Sequence, residues 1–330
     1  MRIDIEHVGR SLYEYAKCLR ARTASPETQI NSDSSAQVDA HPRDNLSHEL
    51  SIEADACDDY FWETKQQQRR SSLAVASGSS VDEWAASVRA AKLASVRVMV
   101  VLHMFSGERG PGDIQDWLES MCTSCNLRLL MLSADRAFDW RWDLTHPSTF
   151  HTLMTLACQG LIDIVCGGPP CSTVSRVRFL RIPGGPRPLR FREQFWGRSD
   201  LRLHEAARVK EANQLYINFM TLCEAVCTRG GGYFLEQPAD PGADPFPSLF
   251  ATQEFIGFEY RVGGQQATFN QCPYGGVAPK LTTVSYKLDG FDELNGISCP
   301  GLSSSHSRSQ SWGRTAQGNF YSTILARYPT

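Results

Sequence analysis

The chain has 330 residues, 42% of them hydrophobic, and a formal net charge of −3. That length and apolar content support a sizeable core and exclude disorder throughout, while the small negative charge excludes a global attraction to polyanions. No run of about 18 apolar residues occurs and the start "MRIDIEHVGRSLYEYAKCLRAR" has no continuous apolar stretch, so neither a membrane span nor export is expected. Eleven scattered cysteines suit the reduced thiols of an intracellular protein, nuclear or cytoplasmic.

In residues 1–20, Ile5, Val8, Leu12, Tyr15 and Leu19 recur at spacings of three and four, which predicts a short amphipathic helix. Residues 21–79 are rich in Ser, Asp, Gln and Ala without periodicity and read as a disordered linker. "SVDEWAASVRAAKLAS" opens with Ser80 and Glu83 at capping-box spacing, the start of a helix leading into the folded part. "VRVMVVLHMF" then reads as a strand buried on both faces. A helix follows, with Pro111 at its start and Ile114, Trp117, Leu118 and Met121 on one face. "LRLLMLSAD" is a second strand, Phe150, Leu153, Met154 and Ala157 mark a second helix, and "LIDIVCGG" is a third strand. Ala212, Leu215, Phe219, Leu222 and Val226 predict a long helix stopping at "GGG", before a fourth strand "GGYFLEQP". This alternation predicts one α/β domain over 80–330, a doubly wound, mostly parallel sheet whose ligands sit at the carboxyl ends of the strands.

The strand ends carry the candidate residues. "FSGERGPG" puts Ser106, Gly107, Gly110 and Gly112 where a backbone can approach a ligand, or simply make a tight turn. Asp135 ends the second strand, where an acid can grip a ribose hydroxyl or stand in a solvated loop. Asp143 in "RWDLTHP" follows the same logic, with helix capping by Asp143 or Thr145 as the alternative. Most of the cysteines read as small buried hydrophobes. Cys171 differs, because "GGPPC" ends a strand and fixes the backbone so that the thiol faces the crevice, with arginines nearby to favour the thiolate. Glu236 in "FLEQP" falls on the same edge, awkward beside a thiolate unless protonated or hydrogen-bonded to a substrate; the alternative is a bond to a loop backbone. Residues 176 to 210 hold ten Lys or Arg against three acids, a net +7 in a chain of net −3. They read as a mobile basic loop closing over phosphates, with Arg176, Arg187, Arg190 and Arg192 as contacts, or as a solvated surface insertion.

"GGPPCSTVS" resembles the nucleophile motif of cytosine-5 DNA methyltransferases, a Pro-Cys dipeptide after a glycine turn. "MFSG" resembles that family's first cofactor motif, "FLEQP" its Glu-Asn-Val motif and "QGNFYSTILARYP" its C-terminal Gly-Asn motif followed by a helix, all in order across about residues 97 to 330. The resemblance implies a Rossmann-like methyltransferase sheet binding S-adenosylmethionine, with Phe105, Ser106 and Gly107 at its amino-acid end, Asp135 on the ribose, Asp143 near the adenine and Asn319 closing the pocket. It implies Cys171 as the nucleophile and Glu236 as the residue holding a cytosine flipped out of double-stranded DNA. Residues 172–210 would form the basic catalytic-loop region.

The chain also departs from that family. Gln237 and Pro238 replace the second and third residues of the Glu-Asn-Val motif, and no Gln-x-Arg-x-Arg element occurs, so "FNQCPYGG" leaves its arginine unassigned. About forty residues, 274–313, remain for a reduced target-recognition region, a small C-terminal insertion, so sequence selectivity would be low or supplied by a partner chain. Cys122 with Cys125, and Cys299 with His306, lack the companions a zinc site needs, so no metal is expected. The competing functions are an inactive methyltransferase-like module binding DNA or a partner, and methylation of RNA on the same scaffold.

Overall fold

The computed structural model describes residues 80–94, 97–107, 113–136, 139–180, 186–274 and 280–301. The expected helix of 1–20, the linker of 21–79, Gly110, Pro111, Gly112, Arg181, His306, Asn319 and the C-terminal helix lie outside the described residues.

Helix α1 (Ser80–Leu93) has Asp82 and Glu83 in its first turn, where carboxylates complement the helix dipole. It buries Val81, Ala85, Val88 and Ala91, one face of a 3.6-residue period. Lys92 pairs at 2.9 Å with Asp163, which also accepts the Val100 N–H at 2.7 Å and so ties α1 to two strands. Burial raises the Asp163 pKa in spite of that lysine.

The sheet contains β1 (Val98–Met104), β2 (Arg128–Ala134), β3 (Ile164–Gly167), β4 (Gly232–Pro238), β5 (Gln265–Asn270) and β6 (Leu281–Lys287) in the order β2-β1-β3-β4-β6-β5. The first four strands are parallel, and β6 runs antiparallel to both β4 and β5, so five of the six share one direction. Helix α2 (Ile114–Ser124) joins β1 to β2, α3 (Pro147–Cys158) joins β2 to β3, α4 (Leu203–Thr228) precedes β4, and α5 (Gln253–Val262) precedes β5.

Alternation along β1 divides the core. Val98, Val100, Leu102 and Met104 pack with α1, α3, α4 and α5, whereas Met99 and Val101 pack with Leu118 and Cys122 of α2 and with Phe291. Each such side chain contributes about 1.5–3 kcal/mol by leaving water. The molecule is therefore α/β, with a mostly parallel sheet covered by helices on both faces.

Three local readings change. Helix α2 begins at Ile114, with Asp113 as N-cap accepting the N–H groups of Gln115 and Asp116. Helix α4 begins at Leu203, so residues 203–210 of the expected 172–210 loop are helix; the Glu205 carboxylate accepts the Arg202 N–H at 2.8 Å and fixes that start. Residues 281–287, inside the stretch assigned to target recognition, are β6, wedged between β4 and β5. Among the described residues no helix is long and apolar enough to cross a membrane.

Candidate functional site

From β2 the chain crosses over β1 to reach β3, so strand order reverses at β1, and sheets of this kind hold ligands beyond the carboxyl ends of the two strands at such a reversal, here β1 and β3. The two ends meet closely. A Cβ at Gly167 would stand 2.1 Å from the Met104 carbonyl oxygen, which is why glycine ends β3. At the end of β1, Phe105 has φ 57, a left-handed conformation that strains a bulky residue, and its ring meets Phe219 edge-on at 5.4 Å. Gly107 is also left-handed, φ 73, and donates its N–H to the Asp135 carboxylate at 3.1 Å. The Ser106 N–H donates to the Ala134 carbonyl at 3.3 Å. Phe105, Ser106, Gly107 and Asp135 are thus gathered at one edge.

Asp143 is engaged differently. Its carboxylate accepts the Thr145 N–H and hydroxyl, both at 2.8 Å, and pairs with Arg136 at 3.2 Å, which closes the turn before α3. Arg136 also pairs with Glu211 of α4; burial opposes its charge, but the two carboxylates raise its pKa overall.

The turn after β3 is held from several sides. Gln237 donates its side-chain N–H to the Pro169 carbonyl at 2.6 Å, and the Tyr216 hydroxyl donates to the Pro170 carbonyl at 3.0 Å. Val174 N–H donates to the Cys171 carbonyl at 2.9 Å. Cys171 itself is half-buried against the larger core cluster. Glu236 is 6% exposed, and a Cβ on Gly168 would lie 2.8 Å from its Oε2, so its carboxyl group rests directly against the turn that carries Cys171. Lys280 Nζ stands 3.6 Å from Glu236 Oε1. A thiol, a carboxyl group and an ammonium group therefore share one end of β3, β4 and β6. Gln237, a departure from the Glu-Asn-Val pattern, holds the Pro169 carbonyl.

Among its described residues, the basic segment does not present an unbroken row of exposed arginines. Arg190 is 0% exposed and corrects the expectation that it reaches a phosphate. It donates to Thr173 Oγ1 at 2.9 Å, to Asn213 Oδ1 at 2.6 Å and to the carbonyls of Phe195 and Val209, and burial pushes its pKa down to about 10. Arg187 is spent on Glu205, at 2.6 Å, and on Asp200. That hydrogen bond pulls the Glu205 pKa down to about 2. Arg192 makes a two-pronged pair with Asp240 at 2.6 and 2.9 Å, which overcomes burial and lowers the Asp240 pKa. Arg176 is half-buried with its guanidinium 5.0 Å from the Phe246 ring. The expected mobile loop is, over 186–201, folded onto α4 through Arg187 and Arg190 and onto the stretch after β4 through Arg192. Arg202 and Lys210 of the same charge run are exposed.

Sequence reasoning missed Arg178, 3% exposed, which donates to the Ser172 and Arg187 carbonyls. Its number sits within the charge run, and nothing in the run marks which arginines turn inward. Cys122 ends up inside α2, where burial pushes its pKa up to about 12, and no cluster of metal-binding side chains occurs among the described residues. A surface cleft of about 450 Å³ between Arg97, Thr123, Asn126, Leu127 and Arg128 lies at the amino ends of β1 and β2, away from Cys171. In comparisons with known proteins, no family model and no curated protein matches the chain.

Proposed function

We propose that the chain is an S-adenosylmethionine-dependent methyltransferase on a Rossmann-like sheet, acting on carbon 5 of cytosine in double-stranded DNA. The observation that carries this reading is the contact of Glu236 with the Gly168–Cys171 turn, at the ends of adjacent parallel strands beside the crevice at Phe105–Gly107.

The residues present fit the cofactor. A left-handed glycine turn exposes backbone at the end of β1, and the Asp135 carboxylate at the end of β2 is an acceptor suited to ribose hydroxyls. When bound, S-adenosylmethionine supplies an electrophilic methyl group on a sulfonium. Asn319, which lies outside the described residues, completes the assignment by resemblance. Asp143, committed to Thr145 and Arg136, would act on the adenine end only through the turn it closes.

The chain's own groups divide the remaining work. The Cys171 thiolate adds to carbon 6 of the flipped base, making carbon 5 nucleophilic toward a methyl group; once carbon 5 carries that methyl, its proton passes to water and the thiolate leaves by elimination. Glu236 binds the ring nitrogen and exocyclic amine, which selects cytosine and stabilises charge as the adduct forms. Lys280 provides a cation beside Glu236, in a sequence that lacks the Gln-x-Arg-x-Arg arginine. Tyr216 and Gln237 keep the turn in place. Phosphate contacts would fall to Arg176 and to the exposed Arg202 and Lys210, with Arg187 and Arg192 available only after breaking their ion pairs.

The test is transfer of labelled methyl to a pool of duplex DNA, with the product base identified. The reading expects 5-methylcytosine from the native chain and none from Cys171→Ala. Label in RNA alone would move the substrate class; label in neither would leave the inactive binding module.

A further inference from the structure

We propose that Arg190 is a positioning residue for Cys171, a buried guanidinium that clamps both flanks of the Cys171 turn and places an uncompensated positive charge behind it. The proposal rests on Cys171 as the reactive thiol of the proposed function. Cys171 lies between Pro170 and Thr173. Arg190 donates to Thr173 Oγ1 at 2.9 Å, and its guanidinium stands 5.8 Å from the ring of Tyr216, whose hydroxyl holds the Pro170 carbonyl at 3.0 Å. Its remaining acceptors are the Phe195 and Val209 carbonyls and the Asn213 side-chain oxygen.

All four acceptors are neutral dipoles. Arg187 and Arg192 in the same segment instead face carboxylates. A fully buried cation without a carboxylate is costly, and its net field acts on the ionisable groups around it, Tyr216 at 5.8 Å and the thiol of the turn it clamps among them. Among the described residues, the other ionisable groups around the turn include Arg178 from the following 3-10 turn, Tyr216 from α4, Glu236 from β4 and Lys280 from the stretch before β6. Arg178, donating to the Ser172 carbonyl, adds to the effect, while Glu236 opposes it. Arg190 thus offsets the carboxyl group that the turn must accept.

The experiment needs neither cofactor nor nucleic acid. Alkylation of Cys171 by iodoacetamide is followed against pH by peptide mass in the full chain, with the exposed Cys158 as internal control. Arg190→Met should raise the midpoint of the Cys171 profile by about one pH unit while Cys158 stays put. Arg190→Lys, which keeps the charge, should recover most of the shift. If Arg190→Met does not fold by circular dichroism, Thr173→Val removes the acceptor that aims the guanidinium, and the Cys171 rate at pH 7 should fall by a factor of about three. A folded Arg190→Met with an unchanged midpoint, or an unchanged rate in Thr173→Val, overturns the proposal. A normal shift in a protein that methylates nothing would instead count against the proposed function alone.

Discussion

The turn over 167–174 and the segment over 186–210 stand side by side and use polar side chains in opposite ways. The turn collects hydrogen bonds from distant parts of the chain, Tyr216 on α4 and Gln237 on β4, and its Gly168, three residues before a half-buried thiol, rests against a buried carboxyl group. The segment spends its arginines on carboxylates, Arg187 on Glu205 and Arg198 on Asp200 close by and Arg192 on Asp240 beyond β4, with Arg190 the exception. On the proposed reading the motif of few charged residues is the reactive place, while most of the described arginines in the charge run hold the fold together. What decides is where each charge finds its partner.

The largest expected effect comes from removing the inward-facing charge. Arg190→Ala leaves Asn213, Thr173 and two carbonyls without their donor and should destabilise the fold by about 3 kcal/mol, whereas Arg202→Ala, at an exposed helix start, should cost about 0.5 kcal/mol or less. Denaturant midpoints of the two variants measure the contrast, and equal losses would erase it. Next comes Gly168→Ala. Its Cβ would lie 2.8 Å from Glu236 Oε2, so the carboxyl group must move; a loss of about 1–3 kcal/mol is expected, and on the proposed reading a fall in kcat larger than the rise in KM. Wild-type turnover in that variant would detach Glu236 from the chemistry.

The smaller effect concerns acid. The folded-state pKa of Glu205, about 2, lies below the ordinary glutamate value near ~4.3, so its ion pair contributes stability that is complete above pH ~4.3 and is lost as pH falls toward 2. Glu205→Gln should lower Tm at pH 7 and flatten the Tm profile between about pH 4.5 and 2. A parallel profile would place the acid sensitivity in other carboxylates.

Much of the sheet was legible because of how it is buried. β1, β3 and β4 are covered on both faces and read as apolar runs, and α3 and α4 show their buried stripe every three to four residues. β6 was not legible. It buries Thr282, Thr283 and Ser285, which is possible because Gln271, Thr268 and Tyr233 hydrogen-bond to them, so this interior strand lacks the apolar run of β1 and β3 although its Thr, Val and Tyr are strand formers. β5 begins with exposed Gln265 and Gln266 and is readable only once β6 is in place. At the candidate site, the adjacency of the Cys171 turn and Glu236 follows from consecutive parallel strands, and the strand ends announced it. The inward turn of Arg178 and Arg190 did not show, because charge is written in the sequence whereas the partners at 172, 195, 209 and 213 meet them only through the fold.

The central claim is that the Cys171 thiol stands at that strand end to bond transiently to a cytosine. Fluorine on carbon 5 blocks the final elimination, so a duplex containing 5-fluorocytosine should trap the protein once methyl has transferred. The account predicts an adduct that needs S-adenosylmethionine, survives denaturing electrophoresis, maps to Cys171 by peptide mass, disappears in Cys171→Ala and persists in Cys166→Ala, since Cys166 is buried within β3. Methyl transfer that continues in Cys171→Ala, or an adduct on any other cysteine, would contradict it.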